Sequence, residues 1–75
     1  MTDIYAQVGS KIRELRTTIK GKGISQEELA ERADMTRNYV GMVERGEKNI
    51  SILMLYRFSK ALKVPLADVV RNARL

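Results

Sequence analysis

Two segments with strong helix signals are separated by only three residues, Asp34-Met35-Thr36. The first segment opens with a capping box, because Ser25 can accept orphan backbone N–H groups and a glutamate follows three residues later. Thr36 can cap the second segment in the same way, and Gly46 is placed to end it. Two helices joined by so short a link must cross at a steep angle. The sequence therefore predicts a crossed helix pair over about residues 26–45.

The rest of the chain also carries helical periodicity, because apolar residues recur three and four positions apart and only one proline occurs. We predict an all-α chain, with five short helices in a single domain over residues 1–75. The other helices are expected at about 3–19, 52–62 and 66–72. The side chains expected to face the core are Ile4, Val8, Ile12, Leu15 and Ile19 in the first helix, Leu29, Val40 and Val43 in the central pair, and Ile52, Leu55, Phe58 and Leu62 in the fourth helix.

Composition favours a binding protein with an anionic partner. Fourteen Lys and Arg face nine Asp and Glu, which leaves a net charge of +5. The chain has no cysteine or histidine, so it lacks a thiolate nucleophile and the commonest general base and zinc ligand. No apolar run approaches the roughly 18 residues of a membrane span, and the start of the chain does not resemble a signal peptide. We expect a cytoplasmic binding protein without enzymatic activity, cofactor, metal or small-molecule ligand.

The start of the second helix of the pair carries side chains suited to reading DNA. Arg37 can donate two hydrogen bonds to guanine, and Asn38 can form two with adenine. The N-terminal end of such a helix is the part that enters the major groove. We therefore interpret residues 26–45 as a DNA-reading helix-turn-helix. The alternative is that Arg37 and Asn38 are ordinary solvated surface residues.

Four motifs follow one another along the chain: Ile24-Ser25-Gln26-Glu27-Glu28-Leu29-Ala30, Thr36-Arg37-Asn38-Tyr39-Val40, Val43-Glu44-Arg45-Gly46 and Asn49-Ile50-Ser51-Ile52. This succession resembles the Cro and phage-repressor family of helix-turn-helix proteins, over roughly residues 8–70. The chain length, and the placement of Arg37 and Tyr39 ahead of Glu44, are also similar to the controller proteins of restriction–modification systems. The resemblance implies a DNA-binding regulator of transcription with double-stranded DNA as its partner.

The resemblance also implies roles for individual residues. Base contacts are implied for Arg37, Asn38 and Met42, although a methionine can only pack on a thymine methyl. Phosphate contacts are implied for Gln26, Thr36, Tyr39, Arg45, Lys48 and Asn49. A structural ion pair is implied between Arg16 and Glu44.

Two departures from the family pattern bear on this assignment. The link from Lys20 to Ile24 is about three residues longer than usual, so Arg13 is an alternative partner for Glu44. Asp34 stands where the family usually has glycine. Aspartate tolerates left-handed backbone better than most residues, so we expect the turn to form.

A dimer is expected on energetic grounds. One recognition helix reads only a few base pairs, each worth about 1–3 kcal/mol of discrimination, so two copies on a palindromic operator are needed to select one site in a genome. Two such dimers on adjacent sites are a further expectation. The apolar residues assigned to the dimer interface, in helix 5 at about 66–72 and at the start of helix 4, are Leu53, Met54, Leu66, Val69 and Val70.

Two alternatives stay open at this point. Val69 could instead pack on the fourth helix, with the other apolar residues exposed singly. The chain could also be an antitoxin-type module that binds a toxin and represses its own operon, although such chains usually carry an additional toxin-binding segment.

Overall fold

A computed structural model describes residues 3–71, and within this range the chain forms five α-helices and no strand. The all-α prediction is therefore confirmed. None of these helices is both long and apolar enough to cross a membrane. The helices are α1 (Ile4–Thr18), α2 (Gln26–Ala33), α3 (Arg37–Glu44), α4 (Ile52–Leu62) and α5 (Leu66–Val70), with a 3₁₀ turn at Ile19–Gly21 after α1.

Side-chain caps fix the starts of four helices. The carboxylate of Asp3 accepts the N–H groups of the first turn of α1, at 3.0 and 3.2 Å. The hydroxyls of Ser25, Thr36 and Ser51 each accept the backbone N–H three residues later, at 3.0 to 3.2 Å. Each such cap contributes about 1 kcal/mol to helix stability. Only half of the predicted capping box forms, because the carboxylate of Glu28 accepts from Arg32 at 2.6 Å instead.

The turn between α2 and α3 depends on one left-handed residue. Asp34 has φ 58° and ψ 53°, the conformation that the family pattern usually assigns to glycine. The N–H of Met35 then donates to the carbonyl of Ala30 at 2.9 Å, which satisfies the end of α2. The expected turn is present, and it sets α3 across α2 immediately after the cap at Thr36.

All five helices contribute to the core: α2 packs against α3 and α4, α1 packs against α3, and α5 packs against α4 and α1. Gly9 lets α1 approach α3 closely, since a Cβ there would overlap the carbonyl oxygen of Val43. Leu15 packs only partly into this core. The predicted core residues that are buried are Val8, Ile12, Leu29, Val40, Val43, Leu55, Phe58 and Leu62.

Two residues that were expected to face the core do not lie in it as predicted. Ile52 is 70% exposed, because the first turn of α4 extends beyond the helices that cover the rest of it, and burial begins only at Leu55. Ile19 lies in the 3₁₀ turn, where the helical phase changes, so it does not continue the core-facing side of α1. It is only partly buried.

The fifth helix corrects part of the predicted dimer interface. Val69 is only 1% exposed, because α5 packs against both α4 and α1 and points this side chain into the core. Val69 is therefore a core residue and cannot belong to an exposed interface. The helix was predicted to reach Asn72, which lies outside the described residues.

Candidate nucleic-acid interface

A buried ion pair joins α1 to α3 beneath the predicted DNA-facing surface. Arg16 Nε donates to Glu44 Oε2 at 2.6 Å, and Arg16 Nη2 donates to Glu44 Oε1 at 3.0 Å. The Arg16 side chain is 12% exposed and that of Glu44 is 3% exposed. This is the pair that the resemblance implied, and the alternative partner Arg13 is exposed on α1.

The same pair holds the start of α2. Arg16 Nη1 donates to the carbonyl oxygen of Ile24 at 2.9 Å, and Gln26 Nε2 donates to Glu44 Oε1 at 3.0 Å. Bidentate, charge-assisted hydrogen bonds of this kind are geometrically specific. The network therefore fixes α3 relative to the N-terminus of α2. Sequence reasoning missed this internal role of Gln26, whose predicted phosphate contact stays a prediction.

An open polar hollow lies beside this network. It is lined by Arg16, Ser25, Gln26, Glu27 and Arg37, so it joins the N-terminus of α2 to the first turn of α3. Unpaired backbone N–H groups and the helix dipole favour an anion at a helix N-terminus. The hollow therefore brings the predicted phosphate contact of α2 next to a predicted base contact of α3.

The first turn of α3 presents the predicted base-reading side chains to solvent. Arg37 and Asn38 are both exposed, and the structure gives neither side chain a partner within the described residues. Met42 lies one turn further along α3 and is partly buried. Arg37 is therefore a guanidinium whose donors are all free of bonds to residues 3–71, on a helix whose position the buried network fixes.

Thr36 and Tyr39 lie at the edge of this surface. The Thr36 hydroxyl accepts from the backbone N–H of Tyr39, so its own proton remains available for donation. The Tyr39 ring packs partly against the core, and this burial raises the pKa of its hydroxyl. Tyrosine is in any case neutral near pH 7, so the Tyr39 hydroxyl can donate a hydrogen bond to a phosphate oxygen.

The three residues after α3 that are predicted to contact phosphate, Arg45, Lys48 and Asn49, differ in whether their side chains have a partner. Lys48 and Asn49 are exposed and have no partner within the described residues. Arg45, in contrast, donates through Nε and Nη2 to the two carboxylate oxygens of Glu47 at 2.9 and 3.1 Å. The hydrogen bond from Arg45 lowers the pKa of Glu47. Sequence reasoning assigned Arg45 to a phosphate contact, which stays a prediction, and missed its acidic partner.

Comparison with known proteins agrees with this geometry. A family model described as helix-turn-helix matches residues 12–69. The chain belongs to the helix-turn-helix family. It is 32% identical over 69 residues to the control protein C.MunI of a Mycoplasma species, covering 92% of this chain and 90% of the relative.

Two solved structures share the fold. The restriction–modification controller protein C.AhdI from Aeromonas hydrophila is 35% identical, with a TM-score of 0.79 over 87% of this chain and 94% of that chain. The clp gene regulator ClgR from C. glutamicum is 30% identical, with a TM-score of 0.86 over 93% of this chain and 86% of that chain. The chain is a helix-turn-helix transcriptional regulator, homologous to restriction–modification controller proteins.

This regulator also exposes apolar side chains away from α3. On α4, Ile52, Leu53 and Tyr56 are exposed by 50–70% and lie on one side of the helix, and we call them the α4 apolar surface. Val70 on α5 is also exposed. Of the other residues assigned to the dimer interface, Met54 and Leu66 are partly buried. Sequence reasoning missed Ile52 and Tyr56 here.

Proposed function

We propose that this chain is a sequence-specific regulator that binds a palindromic operator in double-stranded DNA as a homodimer, and that it controls a restriction–modification system. The observation that carries the proposal is the pair of exposed side chains Arg37 and Asn38, which have no partner among residues 3–71 and lie on the first turn of a rigidly held helix. The homology to control proteins supports the part of the proposal that names a restriction–modification system as the target of regulation. We place this regulator, encoded by a bacterium or a phage, in the cytoplasm and in association with the nucleoid.

In the proposed complex, the N-terminal end of α3 enters the major groove. Arg37 donates to guanine O6 and N7, and Asn38 pairs with adenine N7 and N6. Met42 packs against a thymine methyl. The phosphate contacts that position the helix come from Gln26, Thr36, Tyr39, Arg45, Lys48 and Asn49.

The proposed dimer uses the α4 apolar surface together with Val70, in place of the buried Val69. Exposed apolar patches usually mark a partner surface, and a two-fold axis pairs each patch with its own copy. Such a dimer would present its two α3 helices about 34 Å apart, one turn of DNA. Two dimers on adjacent sites would extend the operator.

Selection from a pool of randomised duplexes tests the proposal directly. The parent protein should enrich an inverted repeat whose half-site centres are about one helical turn apart. The DNA upstream of the chain's own gene should contain the same repeat if the protein regulates its own expression. Recovery of duplexes without a common sequence would contradict sequence-specific binding, and a single unrepeated site would contradict the dimer.

A further inference from the structure

Gly41 occupies a position in α3 where glycine is a poor choice for helix stability. It lies in the middle of the eight-residue helix, where glycine is less favourable than nearly every other residue. The space that a side chain would occupy is partly filled. A Cβ built on Gly41 would lie 3.1 Å from Arg45 Nη1 and 3.8 Å from Gln26 Oε1. The missing side chain thus makes room for the guanidinium of Arg45.

Arg45 folds back over α3 to reach this space. Arg37, Gly41 and Arg45 follow one another at four-residue spacing, so they share one side of the helix. The guanidinium of Arg45 therefore lies along the row that begins with the predicted base contact at Arg37.

The backbone at the end of α3 places an acidic partner for this guanidinium. Gly46 has φ 76°, and the N–H of Glu47 donates to the carbonyl of Met42 at 2.9 Å. Together with the bond from Gly46 N–H to the Val43 carbonyl, at 3.0 Å, this is a Schellman motif. The motif turns the chain back against the helix end. Glu47 can then hold Arg45 Nε and Nη2 at 2.9 and 3.1 Å.

We propose that Glu47 and Gly41 determine DNA specificity by controlling where Arg45 can bind a phosphate. The inference rests on the proposed DNA-binding function. Glu47 cancels a positive charge that would otherwise attract any phosphate, and Gly41 lets the guanidinium lie in one orientation on α3. An Arg45 that is already oriented loses little freedom on reaching its operator phosphate, whereas binding in a random register requires it to leave Glu47.

Glu47→Gln tests the charge part of this proposal. Freeing Arg45 should strengthen binding to random duplex, with a salt dependence steeper by about 0.9 in the slope of log K against log salt. Over a fourfold rise in salt concentration, this difference in slope makes the variant's loss of affinity for random duplex about 3.5-fold larger than the parent's. The ratio of operator to random affinity should fall. Glu14→Gln is the matched control, because it also breaks an exposed ion pair and changes the net charge equally, but on α1.

Gly41→Ala tests the orientation part without changing charge. Alanine favours helix, and its Cβ would meet side-chain atoms only, the nearest being the flexible end of Arg45 at 3.1 Å, so the fold should be retained. Operator affinity should fall in the parent but stay unchanged in an Arg45→Gln background. This non-additive cycle requires that Gly41 acts through Arg45.

The outcomes separate this inference from the proposed function. The probes are the duplex selected by the parent protein and a random duplex of equal length. A parent that binds both equally contradicts the proposed function and this inference with it. If the parent discriminates, an unchanged affinity ratio in Glu47→Gln, or an additive cycle for Gly41 and Arg45, overturns this inference alone.

Discussion

The exposed arginines at the two ends of α3 have opposite surroundings. Arg37, on the first turn, is without a partner in the described part of the chain, whereas Arg45, which caps the end of the helix, is held by both oxygens of Glu47. An unpaired guanidinium on a fixed helix suits base reading, while a paired and partly neutralised one suits a contact made only in a specific register. The same type of side chain therefore suits different contacts at Arg37 and at Arg45, because the groups around the two guanidiniums differ.

The Glu47 carboxylate should titrate below the ordinary range of a glutamate in the parent protein, because Arg45 donates to its charged form. A pKa that folding lowers stabilises the fold above the unfolded pKa, and this contribution is lost as the pH falls through the folded pKa. In Arg45→Gln the pKa of Glu47 should rise, as followed by NMR of its side-chain carboxyl carbon. Arg32→Gln, which breaks the pair on α2, should leave it unmoved. A Glu47 pKa that stays the same in Arg45→Gln would show that the two groups do not meet in solution.

The sequence predicted Arg37 and Arg45 equally well as cations of the DNA-facing side. It could not predict their different surroundings. The pairing of Arg45 depends on the left-handed turn at Gly46, which brings a residue two positions later back beside it. A contact of that kind follows from the path of the backbone and leaves no periodic trace in the residue pattern.

At the scale of the helices, the buried network around Glu44 decides how α3 is presented. It connects three segments, since Arg16 comes from α1, Ile24 precedes α2 and Glu44 ends α3. Gln26 adds a fourth contact from the first turn of α2. A displacement of any of these segments moves the helix that carries Arg37.

Removing one partner of this pair should leave a buried charge without compensation, at a cost of about 3–5 kcal/mol in the free energy of unfolding. Arg16→Gln and Glu44→Gln should each destabilise strongly, and the double variant should lose less than the sum of the two. Urea unfolding followed by circular dichroism measures the three values. The exposed pair of Lys11 and Glu14 is the control, with an expected coupling within about 1 kcal/mol. Additive losses for Arg16 and Glu44 would mean that the longer link has changed the pairing.

Four of the five helix starts were predictable because each of these depends on a local side-chain cap, at Asp3, Ser25, Thr36 and Ser51. The side of each helix that other helices bury was less predictable. Helical spacing assigned Ile52 to the core, and a surplus of apolar residues in α5 assigned Val69 to the dimer interface. Both assignments were wrong, and Val69 packs in the core, as the alternative had it. The helices that pack on α4 do not reach its first turn, and the short helix α5 packs against two other helices, α4 and α1. Both facts depend on the packing of distant segments, which periodicity within one helix does not contain.

At the scale of the whole molecule, the α4 apolar surface holds three of the five large apolar side chains that are exposed among the described residues. Ile52, Leu53 and Tyr56 leave more apolar area in water than scattered single side chains would. Lys60 lies 5.5 Å from the centre of the Tyr56 ring, so the surface has a basic rim on one side. We expect a small interface, with dissociation in the micromolar range.

Leu53→Lys should weaken the dimer without unfolding the chain, because this side chain is 54% exposed. We expect its dissociation constant to rise at least about tenfold, as measured by sedimentation equilibrium. Tyr5→Lys, at an exposed apolar residue on α1, is the control and should dimerise like the parent. Val69→Asp should unfold the chain instead, since it buries a carboxylate in the core. A Leu53→Lys protein as dimeric as the parent would place the interface elsewhere.

Arg37 is proposed to read a base on a palindromic operator. The most direct measurement is the ratio of affinities for the selected duplex and for random duplex, in the parent and in Arg37→Ala. A bidentate guanine contact is worth about 1–3 kcal/mol, so the ratio should fall by about 5- to 150-fold. Lys48→Ala, at a predicted phosphate contact, should weaken both affinities together and leave the ratio unchanged. If Arg37→Ala also weakens both affinities equally, Arg37 contacts only phosphate and the account of base reading is wrong.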